Sequence, residues 1–209
     1  MTRSAARTEG EPVIVAEITA GLPDWLLVPT RSADDGFDEP GWRGVTVELF
    51  DELARADLED GVAPPALDVE ATLTDLLDMA DSLDDSSRLV AGLGLPGRWP
   101  LPVIVSAADT EDDVDLLELG LARGGHPAEA PTVEDLPDGD GPGIVVSRAD
   151  VTDDREVWAT VTCVRRRDGL DVVALWRTND LGLVVPFREQ VVRLMPLIRV
   201  GPWTDGSDA

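Results

Sequence analysis

Lysine is missing from the 209 residues, all 17 basic positions being arginine, and tyrosine is missing as well; there is one histidine, His126, and one cysteine, Cys163. Without lysine the chain has neither a Schiff-base amine nor the lysine of a phosphate-binding P-loop. One His and one Cys cannot supply the several soft ligands of a zinc site within one chain, and a lone Cys excludes a disulfide framework. No run of 18 uncharged apolar residues exists, so no transmembrane helix is expected. Arg3 and Arg7 are followed by Glu9 and Glu11 rather than by an apolar run. The sequence therefore reads as lacking a secretory leader, and with its single thiol it suits a reducing cytoplasm. Positive charge is scarce overall: 42 acidic residues leave a formal net charge of -25. A general basic surface for nucleic acid is thereby excluded.

What is present is an apolar content of 43%, enough for one core and too much for a disordered chain. Asp outnumbers Glu 28 to 14, and Asn and Gln occur once each. Such usage points to a GC-rich genome, as in an actinobacterium, with a halophile as the alternative. The charge is unevenly spread. Residues 1–140 hold 8 Arg against 32 acids, residues 141–209 hold 9 against 10, and residues 155–199 hold 8 against 5. An acidic region of 12–140 thus precedes a balanced one of 141–203. The acids either coat solvated helix faces or form an anionic surface that docks a basic partner.

Periodicity predicts an α+β fold with a mainly antiparallel sheet, a C-terminal β-meander, and two to three helices packed on it. A single domain is expected over 12–203, between disordered tails at 1–11 and 204–209. Strands are expected at 13–18 and 25–30, then a turn-rich loop at 31–44, then a strand running into a helix over 45–56. A linker at 60–67 precedes the clearest helix, 67–83. Strands at 89–93 and 101–106 precede a second helix, 110–123, with Thr110 as its N-cap. Residues 126–142 read as a loop, and 144–147 as a strand. Asp168-Gly169 is a strong hairpin signal between 157–166 and 170–177. It sets Arg166 opposite Asp171, Val164 opposite Val173 and Cys163 opposite Ala174. Both faces of that hairpin are largely apolar, so cover on both sides is expected. A third strand at 181–185 and an amphipathic helix at 187–195 complete the pattern.

The candidate sites are few. Arg165, Arg166 and Arg167 form the most basic point and are a candidate anion site, since guanidinium grips carboxylate and phosphate in a fork. Strand alternation, however, sends Arg166 to one face and its neighbours to the other. Asp135, Asp138 and Asp140 lie in a Gly/Pro loop without the spacing of a calcium loop. His126 has no G-x-S-x-G serine to serve, and Cys163 sits mid-strand among apolar neighbours. No metal and no cofactor are expected. Of the six Trp, Trp42 and Trp203 lie in Gly/Pro contexts (EPGWRG and VGPWTD). They either anchor an interface or fold back as lids on the core. With Phe37, Asp34, Asp35 and Asp38 they make the candidate partner-binding residues.

In order of elements the chain resembles the Mog1/PsbP-like α/β sandwich group, which includes small actinobacterial proteins of the LpqN type. The similar features are an early strand ending in WLLVP (25–29), a G-x-x-x-P-G-W segment from Gly36 to Trp42, the meander over 157–185, and the closing helix. The resemblance spans roughly the whole chain as architecture, and it implies a role in binding rather than catalysis. The expectation from all of this is a non-enzymatic, acidic accessory or adaptor protein that docks a basic protein partner. Secretion chaperone, adaptor and immunity protein stay undivided. The alternatives are a small carboxylate/Arg enzyme, possibly dependent on a divalent metal, and a DNA mimic aligning Asp34, Asp35, Asp38, Asp84 and Asp85.

Overall fold

The computed structural model describes residues 14–18, 24–31, 37–111, 114–121, 126–137 and 139–202. Their β-rich stretches pair into an entirely antiparallel sheet of eight strands. These are β2 (Trp25–Val28), β3 (Ser87–Gly92), β4 (Leu101–Asp109), β5 (His126–Pro127), β6 (Thr132–Asp135), β7 (Gly143–Val151), β8 (Val157–Arg167) and β9 (Leu170–Thr178). The order is β2-β3-β4-β9-β8-β7-β5, with β6 beside β7 on the same edge as β5. A separate ribbon pairs β1 (Ile14–Ile18) with β10 (Ile198–Pro202). Among the described residues four helices complete the α+β fold: α1 (Glu39–Glu59), α2 (Val69–Asp81), α3 (Leu116–Gly120) and α4 (Val184–Leu194). The expected tails and Asp138 lie outside the described residues.

The Asp168-Gly169 turn sets the β8–β9 register as its chemistry dictates. Both residues have positive φ, 52° and 77°, which is the twist a two-residue hairpin needs. Arg166 then faces Asp171, Val164 faces Val173 and Cys163 faces Ala174. Alternation along the strands divides the buried residues between the two faces. On one face Val103, Val105, Val161, Cys163, Val172, Ala174 and Trp176 pack under Phe187, Val191 and Leu194 of α4. The rings of Trp176 and Phe187 meet edge-on at 4.7 Å. On the other face Val28, Leu89 and Ala91 pack under Leu76, Leu77 and Ala80 of α2. Phe50 of α1 meets Leu73, Leu93 and Trp99 beside them. On that second face Thr160, Thr162 and Val164 are buried, while Val173 and Leu175 stay half-exposed. The cover there is partial.

Four expectations need correction. Residues 39–44 begin α1 rather than continue a loop, and 45–56 is helical throughout. Asp38 caps the helix by accepting from Gly41 N at 3.1 Å, and Pro40 stands in the first turn, where its missing N–H had no intrahelical partner. Of the helix expected over 110–123, the described residues show the five of α3, capped by Asp115. Thr110 is tied to the start of β9 instead, through its N–H to Gly169 O (2.8 Å) and its hydroxyl to Asp171 (3.2 Å). The stretch 181–185 is a 3-10 turn running into α4, because Asp180 caps Gly182 N. The meander is therefore β7–β8–β9, one strand earlier than expected. Finally, 126–142 contains β5 and β6, and β10 follows α4.

Candidate functional site

Arg31 and Arg43 are both tied to α2 by charge and hydrogen bonds. Arg31 donates from Nε to Glu39 (3.1 Å) and from Nη1 to Asp78 (2.7 Å) and Asp81 (3.0 Å). Its backbone N–H also donates to Asp81 (2.8 Å). Arg43 donates to Glu39 (2.8 Å), Glu70 (3.4 Å) and the Thr74 hydroxyl (3.2 Å). The hydrogen bond from Arg43 holds the Glu39 carboxyl below its ordinary range, and the bond to Asp78 raises Arg31 further above its own. Beneath this network Phe37 and Trp42 meet edge-on at 6.4 Å. Both rings are half-buried, and Trp42 touches the clusters under α2 and under α1. Asp38 is exposed and serves as the cap. Asp34, Asp35 and Trp203 lie outside the described residues.

With Arg31 and Arg43 occupied in this way, the outer faces of α1 and α2 are left acidic. Glu48, Asp51, Glu52 and Glu59 of α1 and Glu70, Asp75 and Asp78 of α2 are exposed, with Arg55 the one exposed arginine among them. The apolar stripe of α2 is taken by the sheet, while Phe50 of α1 is taken by Leu73 of α2 with Leu93 and Trp99, so the polar side of each helix is left to solvent. Three apolar side chains share these surfaces: Val45 at 68%, Leu58 at 63% and Met79 at 38% exposure.

The arginine run divides as alternation requires. Arg165 is buried and donates to the carbonyls of Leu136 (3.3 Å), Pro137 (3.0 Å) and Gly141 (3.3 Å). Arg166 forks onto Asp171 at 2.6 and 2.9 Å and reaches Val114 O at 2.9 Å. Arg167 donates to Ile198 O. The three guanidiniums are not brought to one point, and each joins separate segments of chain.

The ends of β3, β4 and β9 meet in a cleft of about 330 Å³. Asp84, Asp109, Glu111 and Asp171 line it with Ser86, Ser87 and Ser106, against an apolar wall of Val114, Leu119 and Val173. Asp84 accepts from the Ser86 hydroxyl (2.7 Å) and N–H (3.0 Å); that hydroxyl bond leads the causes that hold its carboxyl below the ordinary range. This convergence was not read from the sequence, because nothing local announces that three strand ends will meet. Among the described residues no group of three or more His, Cys, Asp or Glu is placed to hold a metal ion. His126 and Cys163 are separate. His126 pairs with Val151 and Cys163 with Val145 on the same strand, six residues or about 20 Å apart. Burial pushes the Cys163 thiol up to about 12, which leaves it without thiolate at neutral pH. Among the described residues no helix is long and apolar enough to cross a membrane.

No protein-family model matches the chain. No curated protein matches it either. Function therefore has to be argued from these surfaces.

Proposed function

We propose that the protein is a non-enzymatic accessory or adaptor protein that docks a basic protein partner on the outer faces of α1 and α2, beside Phe37 and Trp42. The observation that supports this reading is the distribution of charge on that surface. Arg31 and Arg43 are engaged with Glu39, Glu70, Asp78 and Asp81, so Glu48, Asp51, Glu52, Glu59 and Asp75 face solvent without an ion pair among the described residues. A single-signed surface of this kind steers an oppositely charged partner and accelerates encounter more than it tightens binding. Val45, Leu58 and Met79 offer apolar contact within it.

The test is affinity capture from lysate of the source organism at low and high salt. It compares the natural chain with one carrying Glu48→Gln, Asp51→Asn, Glu52→Gln and Glu59→Gln. All four positions are exposed, so the fold should survive. The expected result is one stoichiometric partner, weakened by salt and lost from the neutralised variant. Equal capture by both chains, or no stoichiometric partner, would overturn the proposal. The acidic cleft favours a second reading, a carboxylate-based enzyme in which Arg166 orients Asp171. Saturable divalent-metal binding abolished by Asp84→Asn would favour that reading instead.

A further inference from the structure

Several exposed arginines, Arg55 and Arg155 among them, enter no ion pair among the described residues, and what singles out Arg193 is the hollow it lines. Arg193, on the exposed side of α4, enters no ion pair among the described residues. It lines a hollow of about 350 Å³ together with Pro137, Arg188, Glu189, Val192 and Pro196. That volume lies at the small end of ligand pockets, which run from about 300 to 1,000 Å³. The helical repeat places Arg188 and Val192 four residues apart on one face of α4, and Pro196 follows in the 3-10 turn Met195–Leu197. Pro137 supplies the facing wall and is held from behind, since the buried Arg165 donates to its carbonyl at 3.0 Å. Arg188 is a quarter exposed and pairs with the exposed Glu134 at 2.7 Å. The hollow thus combines the Arg193 guanidinium, that of Arg188 already paired with Glu134, the Glu189 carboxylate, and an apolar lining of Val192, Pro137 and Pro196.

We propose that this hollow binds a small monocarboxylate carrying a short apolar arm. The carboxylate lies against the Arg193 fork with Arg188 beside it, and the arm covers Val192 and the two prolines. A monoanion fits better than a phosphate. Glu189 on the rim, Glu134 nearby and the whole-molecule charge of -25 penalise each further negative charge on the ligand.

Hexanoate is the probe, titrated into the full chain while the arginine Nε–Hε signals are followed by NMR. Saturable shifts at Arg188 and Arg193 are expected. Hexanol should not reproduce them, and inorganic phosphate should bind more weakly. Arg193→Gln should weaken hexanoate by about tenfold or more, the scale of a lost charge-assisted hydrogen bond. Arg55→Gln, on α1, should leave it unchanged. The proposal is overturned by absence of a saturable shift or by unaltered affinity in Arg193→Gln. Hexanol binding as tightly as hexanoate would also overturn it, as would phosphate binding more tightly. Because the hollow is remote from the α1/α2 faces, its failure leaves the docking proposal standing, and the reverse also holds.

Discussion

Asp57 illustrates how a single acidic residue in this chain acts as a structural joint rather than as surface charge. It is 5% exposed, and its Oδ2 accepts from both Gly97 N and Trp99 Nε1 at 2.9 Å. The last turns of α1 are thereby fixed to the turn between β3 and β4. Asp57→Ala would leave a buried indole N–H without an acceptor. A loss of about 1–3 kcal/mol is expected, read as a lower urea midpoint with an unchanged m-value. Nothing in the sequence marks Asp57 off from the other acids around it. Charge composition signals a surface, and only the tertiary approach of Trp99 reveals which acid is withdrawn from it. The arginine run was more legible, because alternation at a hairpin of known register already separates Arg166 from Arg165 and Arg167.

Among the elements, α1 and α2 are bridged by charge through Arg31 and Arg43. Arg31 joins the end of β2 to Glu39 at the start of α1 and to Asp78 and Asp81 on α2. Glu39 has its carboxyl lowered in the folded state, first by the hydrogen bond from Arg43 and further by the charge and hydrogen bond of Arg31. A lowered carboxyl stabilises the fold above its unfolded-state titration, and that contribution disappears as pH falls through the folded-state value. Arg31→Ala should therefore lower Tm at neutral pH, and the gap from the natural chain should close on acidification below the ordinary carboxylate range. A gap constant with pH would show that packing, not charge, holds the two helices there. The sequence disclosed α2 through its clean 3.6 period and the β8–β9 hairpin through Asp168-Gly169. It hid the start of α1 because Pro40, Gly41 and Gly44 mimic turn chemistry, while the deciding feature is the Asp38 cap. It hid the cleft as well, since Ser87, Asp109 and Asp171 are brought together only by the β3-β4-β9 pairing.

For the molecule as a whole, the excess of carboxylates acts against its own compactness. At -25 the folded chain repels itself over distances that salt screens beyond about 10 Å at 0.1 M. Tm should therefore rise as sodium chloride is added from low ionic strength, while the proposed docking to a basic partner weakens over the same range. A Tm that falls with salt would mean that ion pairs such as those of Arg31 and Arg43 outweigh the self-repulsion. The pairing of β1 with β10 bears on how such a chain reaches its native state. The earliest described strand has its ladder partner in the latest, about 180 residues away. Loop closure over that span comes late and slowly. The cluster under α4, to which β10 contributes Ile198 and Val200, therefore stays incomplete in a ribosome-bound chain until β10 has been translated. During that interval its protection from aggregation falls to the charge of the acidic segment already made.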